Sequence, residues 1–421
     1  MRNRACRPPS CLASATEDYE LSNSRELDWL GHFSTRLETV GIFGSGAFGN
    51  CSGHSVDRFL NNLGKCNHIK KIHFAGTNLA EIIDKVGGAM TSNNFTQFFV
   101  DECHLGVPEA TFLFNTFGNM VSLEELFIDG IEEVEELANL NDGAMAVCIP
   151  SLAACTGMRS LQLNHLNLST NSCAALRGVF PQMATLLKLV LCGNSLDDDC
   201  TRILAQGLSG CKQIQTLDLS HNRISDNGLD ELVERLPASV DELHLTRNDI
   251  TLAQHCRLEY FNLNGCDVGD EGAAILADGL RNNQRLTEMS LGDNRITARG
   301  WNALSSTLCD ESSINATYNS NHTLQDLGYY CIPEDVERML DLNEGVNKSR
   351  GAGLLPSVVV AWLEQFAKSR PDLELSLIFE VRASDAHESH GWGGGKGKGG
   401  KIRAQQLAVF TCRDGCSHGI M

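Results

Sequence analysis

The sequence predicts an α/β fold, a curved horseshoe solenoid with parallel strands on its concave face and helices on its convex face. Three observations carry this. An eleven-residue phrase recurs, with apolar residues at its first, fourth, sixth and eleventh positions and Asn or Cys at its ninth. Successive copies are mostly 28 residues apart, as from Leu186 to Ile214 and from Leu258 to Leu286, which leaves room for a helix after each strand. Leucines then follow in a fixed phase, four residues apart and so on one helix face: Leu204 and Leu208, Leu232 and Leu236, Leu276 and Leu280, Leu304 and Leu308.

Taken in chain order, residues 1–24 carry no such pattern and are expected to be disordered. The solenoid is expected over residues 25–328. Leu37, Val40 and Ile42 suggest a capping strand, and degenerate copies follow at Ile69, Ile72, Phe74; at Phe95, Phe98, Val100, Cys103; at Leu123, Leu126, Ile128; and at Met158, Leu161, Leu163. The step from Leu123 to Met158 implies an insertion around Val134 to Asp142. Intact copies begin at Leu186, Ile214, Val240, Leu258 and Leu286. Asp198, Asp226 and Asp270 stand where a carboxylate can cap the helix that each precedes. From Val240 to Leu258 the step is too short for a helix, so Thr251 to Arg257 is expected to be a bare connection. The copy from Ile314 is polar at Thr317 and Asn319, as a terminal repeat should be. Residues 329–383 are expected to form a helical cap, with helices at Pro333–Leu342, from Leu355 through Phe366, and at Leu373–Val381. Residues 384–421, rich in Gly and Lys, read as a flexible tail.

The phrase is that of a leucine-rich repeat, and its period and helix phase resemble ribonuclease-inhibitor-like leucine-rich repeat proteins over residues 30–328. The Ser320-Asn321-His322-Thr323-Leu324 ending looks like a subgroup common in unicellular algae. That resemblance implies a binding scaffold rather than an enzyme. It also implies an alternative, because Ran GTPase-activating proteins are built on the same repeat. Those regulators usually carry a strongly acidic segment after the repeats, where this chain has a Gly/Lys tail. A sensor domain of a nucleotide-binding immune-type receptor is a third member of the set, although the chain shows no phosphate-binding loop.

Composition narrows the partner. The formal net charge is −19, and Arg2, Arg4, Arg7 and the tail lysines make the repeats more acidic still. Such a field disfavours nucleic acid and anionic membranes and favours a basic protein. Of the 17 cysteines, Cys66, Cys155 and Cys211 recur three residues before a repeat and Cys103 and Cys266 take the ninth position, as buried thiols would. With no apolar leader near Met1 and no apolar run long enough to span a bilayer, a reducing, cytoplasmic location is expected.

Motifs for chemistry fail on context. Gly44-Ser45-Gly46-Ala47-Phe48-Gly49 matches a dinucleotide-binding loop, but the next strand ends Phe74-Ala75-Gly76 without the acid that a ribose needs. His387 and His390 are three residues apart, not four. Cys412, Cys416 and His418 lack a fourth zinc ligand at matching spacing. Neither a cofactor nor a metal nor a catalytic residue is expected.

Function is therefore sought on the concave face, where the second, third, fifth, seventh and eighth positions point. In the N-terminal half these include Phe99, Asp101, Glu102, Glu124, Glu125, Phe127 and Asp129; later repeats add His244 and Tyr260. Aromatics ringed by acids are the composition of a protein-recognition surface. The competing expectation is that Phe99 and Phe127 merely pack against their neighbours on the sheet.

Overall fold

The computed structural model describes residues 23–33, 38–44, 48–92, 95–131, 140–251, 258–281, 283–310, 316, 320–328 and 332–344, together with strands at 373–378 and 407–412. The chain divides into two compact units, residues 1–218 with 235–239, and residues 219–234 with 240–421.

In the first unit the strands are β1 (Thr39–Phe43), β2 (Lys71–Ala75), β3 (Gln97–Asp101), β4 (Glu125–Asp129), β5 (Ser160–Asn164), β6 (Lys188–Val190) and β7 (Thr216–Asp218). Each pairs in parallel with the next in sequence. Between them run α1 (Ser24–Phe33), α2 (Gly53–Leu63), α3 (Leu79–Ser92), α4 (Val107–Phe117), α5 (Asp142–Cys148), α6 (Thr170–Val179) and α7 (Asp198–Leu208). Ser24, expected within the disordered stretch, opens α1, and Asn23 caps it by accepting from Arg25 N at 3.0 Å. The second unit repeats the plan with α8 (Asp226–Arg235), β8 (Glu242–His244), β9 (Tyr260–Asn262), α9 (Asp270–Leu280), β10 (Glu288–Ser290), α10 (Ala298–Leu308) and α11 (Glu334–Glu344). Here β9 lies in parallel between β8 and β10. Both units are thus the leucine-rich repeat α/β fold.

The phrase works because alternate strand residues enter the core. Leu161, Leu163, Leu189, Leu217, Leu243, Phe261 and Met289 are buried, as are the helix leucines of the fixed phase. In the first unit the core is aromatic: Phe98 lies 5.0 Å from Phe117, 6.1 Å from Phe74 and 6.2 Å from Phe95, ring centre to ring centre. The ninth position holds the turn together. Asn194 Nδ2 donates to the carbonyls of Leu163, Leu191 and Cys192, while its Oδ1 accepts from Leu166 N and Leu168 N. Asn222, Asn248 and Asn294 do the same in the second unit, each donating to nearby carbonyls at about the ordinary hydrogen-bond distance. At Cys266 the thiol takes this place, donating to Leu245 O at 3.3 Å.

One recurring feature has no mark in the phrase. The eighth position is left-handed in repeat after repeat: Gly44, Gly76, Glu102, His165 and Gly193 in the first unit, His221, Arg247, Gly265 and Asp293 in the second.

The aspartates differ from expectation. Asp198, Asp226 and Asp270 are the first residues of their helices, not the caps. The cap of α7 is Asp197, which accepts from Cys200 N at 3.0 Å. Asp270 reaches forward to the next repeat, accepting from Thr297 N, Thr297 Oγ1 and Gly300 N at the start of α10. Asp142 does likewise for α6, accepting from Ser169 N, Asn171 N and Ser172 N at 2.8–3.0 Å. Asp226 likewise accepts from Thr251 N and Oγ1. Of the stretch expected to be a bare connection, residues 252–257 lie outside the described residues.

Beyond the repeats, α11 packs on α10, and Asn343 Nδ2 donates to Leu324 O and Asn321 O. The helix expected at Leu373–Val381 is instead a strand. β11 (Leu373–Ile378) pairs antiparallel with β12 (Leu407–Cys412), which falls inside the stretch expected to be a flexible tail. The period decides it: Leu373, Leu375 and Leu377 alternate with Glu374 and Ser376, which suits a strand. The helix expected from Leu355, the insertion at 132–139, Thr317, Asn319 and the remainder of both termini lie outside the described residues.

Candidate interaction face

The parallel register turns equal repeat positions into rows across the sheet. In the first unit the fifth-position row contains His73, Phe99, Phe127 and Gln162, aligned by the pairs His73↔Phe99, Phe99↔Phe127 and Phe127↔Gln162. Its ring centres are 5.6 Å apart from His73 to Phe99 and 6.1 Å from Phe99 to Phe127. Phe43 extends the row at β1. Its ring folds over Gly41, where any side chain would collide with it, and meets His73 edge-on at 5.0 Å. The result is a continuous aromatic row on the face opposite the helices.

Phe99 is not the exposed anchor that the sequence suggests: it is 8% exposed. His73 and Phe127 flank it, and the Lys71 ammonium stands 4.7 Å from its ring centre. Phe127 is half-buried, and Phe43, which the sequence does not single out, is 50% exposed. Burial, and then the charge of Lys71, pushes the His73 pKa down. This imidazole is therefore neutral near pH 7.

The acids divide into two edges. Asp101 and Asp129, half-buried, and Glu102, exposed, lie at the C-terminal ends of β3 and β4. Asp129 Oδ1 accepts from His165 Nδ1 at 2.7 Å, and the His165 ring fills the space above Gly193. At the other edge Glu124 meets Arg159 at 3.5 Å, and Glu38 meets Lys70 at 3.4 Å, while Glu125 stands between Gln97 and Ser160 in the register. The face is thus acid and base interleaved around aromatics, not a continuous acidic patch. Lys71, His73, Arg159 and His165 were missed because each matters through a neighbouring repeat. A register laid out from the phrase would have found them.

In the second unit, His244 and Tyr260 stack with ring centres 4.8 Å apart, and Asn262 Nδ2 donates to the Tyr260 hydroxyl at 3.3 Å. Here the acids crowd one another. Burial, then Glu242 and Glu259, push the Asp241 pKa up against the opposing charge of Arg285. Arg285 approaches Glu259 at 3.9 Å.

The described residues offer no set of three or more His, Cys, Asp or Glu side chains placed to hold a metal ion. Among them, no helix is long and apolar enough to cross a membrane. Residues 45–47 of the glycine-rich loop, His387, His390, Cys416 and His418 lie outside the described residues, whereas Cys412 ends β12. Eleven described cysteines are free thiols, ten of them buried. Burial pushes the Cys155 pKa up to about 12 and that of Cys266 to about 11, so both are protonated at neutral pH.

Comparison with known proteins gives the following. A family model described as "Leucine Rich repeat" matches residues 210–233 and 254–277. The mouse ribonuclease inhibitor is 32% identical over 168 residues, 36% of this chain and 37% of that protein. Mouse "NACHT, LRR and PYD domains-containing protein 12" is 30% identical over 174 residues, 41% of this chain and 15% of that protein. A crystal structure of an internalin from Listeria monocytogenes aligns at a TM-score of 0.35 and 14% identity, covering 65% of this chain and 86% of that one. The matched region therefore spans little more than a third of the inhibitor's length.

Proposed function

We propose that this chain, a ribonuclease-inhibitor-like leucine-rich repeat protein, is a non-enzymatic scaffold that binds a basic protein partner through the sheet face of its first unit. The observation that carries the reading is the aromatic row from Phe43 to Phe127, bordered by Asp101, Glu102, Glu125 and Asp129. Aromatics supply area that a partner can desolvate, and the acids steer and orient a basic surface. His244 and Tyr260, with the acids around them, give the second unit a smaller surface of the same type. The mouse relative is by name an inhibitor of a ribonuclease, which makes inhibition of a basic enzyme the specific form of this proposal. The net charge of −19 argues against nucleic acid and anionic membranes as partners. The buried thiols suit a cytoplasmic setting.

The test is charge reversal. Glu102→Lys with Glu125→Lys avoids Glu124 and Asp129, whose partners are Arg159 and His165. The double variant should keep the wild-type melting temperature and lose about ten-fold or more in affinity for a captured basic partner, with wild-type binding weakened by added salt. Unchanged affinity and unchanged salt dependence would refute the reading.

A further inference from the structure

Lys71 and Lys70 are adjacent in sequence but go to different partners. Lys70 pairs with the Glu38 carboxylate, while Lys71 leaves its strand row diagonally to place its ammonium over Phe99. At 4.7 Å from the ring centre, that ammonium is well within cation–π range. The ring it covers is the middle of the aromatic row, with His73 on one side and Phe127 on the other. Asp101 lies two residues along the same strand, and Glu125 and Asp129 are on the next. The site thus has every element of a cation-binding surface, and its cation comes from the protein itself.

We propose that Lys71 is an internal stand-in for the partner's cation, holding the Phe99 face until a partner's arginine displaces it, and so setting both the affinity of the face and its selectivity for Arg over Lys. This rests on the reading of the face given under Proposed function. The selectivity follows from an exchange argument. Replacing one ammonium by another on the same ring gains nothing. A guanidinium is planar and more weakly hydrated, so it stacks on the ring better than the ammonium it displaces. The freed Lys71 can return to solvent or to the acids beside it. The neutral His73 adds no competing charge at the ring, which leaves Lys71 as the cation to be displaced there.

The experiment measures fluorescein-labelled octa-arginine and octa-lysine binding to the full chain by anisotropy, with each variant's fold checked by its melting curve. Wild type should favour octa-arginine. Lys71→Ala should tighten both peptides, by about five-fold for octa-lysine, and narrow the preference. Lys71→Arg keeps the charge and places a guanidinium on Phe99, so it should weaken octa-arginine by about three-fold. Lys70→Ala removes an equal charge without touching Phe99 and should change binding less than two-fold, about the effect of one exposed, screened charge. The proposal is overturned if Lys70→Ala tightens binding as much as Lys71→Ala does, or if Lys71→Arg binds like wild type. Binding that is weakened by Glu102→Lys with Glu125→Lys but indifferent to Lys71→Ala overturns the Lys71 proposal alone. No binding, or binding indifferent to the glutamate pair, overturns the reading of the face and this proposal with it.

Discussion

At the eighth repeat position the two units share a backbone and differ in what occupies it. In the first unit His165 and Gly193 are left-handed neighbours, with φ of 51° and 66°. In the second, Arg247 and Gly265 repeat the pair at 55° and 62°. The His165 ring is tied to Asp129 and pressed against Gly193, whereas Arg247 lays a flexible chain beside Gly265. The same contrast runs through the faces. In the first unit Glu38, Glu124 and Asp129 have basic partners and Lys71 covers Phe99. In the second, Asp241, Glu242 and Glu259 press on one another with Arg285 as the opposing charge. The repeat fixes the backbone, and lateral partners then interleave acid and base on one face and set acids beside one another on the other.

The largest expected effect tests the His165 tie. A methyl at Gly193 would run into the His165 ring, and the left-handed backbone adds strain. Gly193→Ala should cost about 2–4 kcal/mol by chemical denaturation. At Gly265 the nearest atom is Arg247 Cγ at 3.0 Å, on a side chain that can move. Gly265→Ala should cost only about 1–2 kcal/mol, the strain of the backbone. Equal losses would show that the Asp129–His165 pair does not hold the ring against Gly193.

A second prediction compares two carboxylates that reach forward to the next repeat, one with part-buried hydrogen bonds and one with exposed ones. Burial pushes the Asp142 carboxyl up, but hydrogen bonds from Ser172, Ser169 and Asn171 outweigh it and hold the pKa well below the usual carboxylate range. A depressed folded-state pKa contributes stability that is present above the unfolded value of about 3.9 and lost as pH falls toward the folded one. Asp142→Asn should lower stability by about 1–2 kcal/mol at pH 7 and by less below pH 4. Asp226 accepts from Thr251 N and Oγ1 in an exposed setting, so Asp226→Asn should cost less, about 0.5 kcal/mol. Urea melts at the two pH values decide between them, and an Asp226 loss as large as that of Asp142 would break the comparison.

How far these features were legible depends on whether they live within one repeat or between two. The core leucines and the ninth-position asparagines each follow from one copy of the phrase, because strand alternation and helix phase are local. Asp270 reaching to Thr297, Lys71 leaning over Phe99 and His165 bonding Asp129 all link neighbouring copies. They become visible only once the register is set. The left-handed eighth position was hidden for another reason: five different residue types occupy it in these repeats, so no composition marks it. At β11 the difference is one of period, since the apolar stretch after Pro371 suggests a helix by composition although its leucines alternate as a strand's do.

The smallest effect separates the two faces by sign. Glu124 is exposed and meets Arg159 at 3.5 Å, so Glu124→Gln removes a favourable exposed pair and should destabilise by about 0.5 kcal/mol or less at pH 7. Asp241 stands in the opposite situation, because burial and then the charges of Glu242 and Glu259 raise its pKa. A raised folded-state pKa means that the group's contribution is most favourable below its unfolded pKa and declines as pH rises through the folded one. Asp241→Asn removes that penalty and should stabilise by about 0.5 kcal/mol or less at pH 7, since the group is largely solvated and the repulsion is screened. At pH 3, below the ordinary carboxylate range, each substitution should be nearly neutral. Added salt should shrink both effects together, as it does for exposed charges. Melting curves at pH 7 and pH 3, in low and high salt, give the readout. If both substitutions move stability in the same direction at pH 7, the two faces do not differ in how their charges are balanced, and the contrast between an interleaved and an acid-crowded sheet falls.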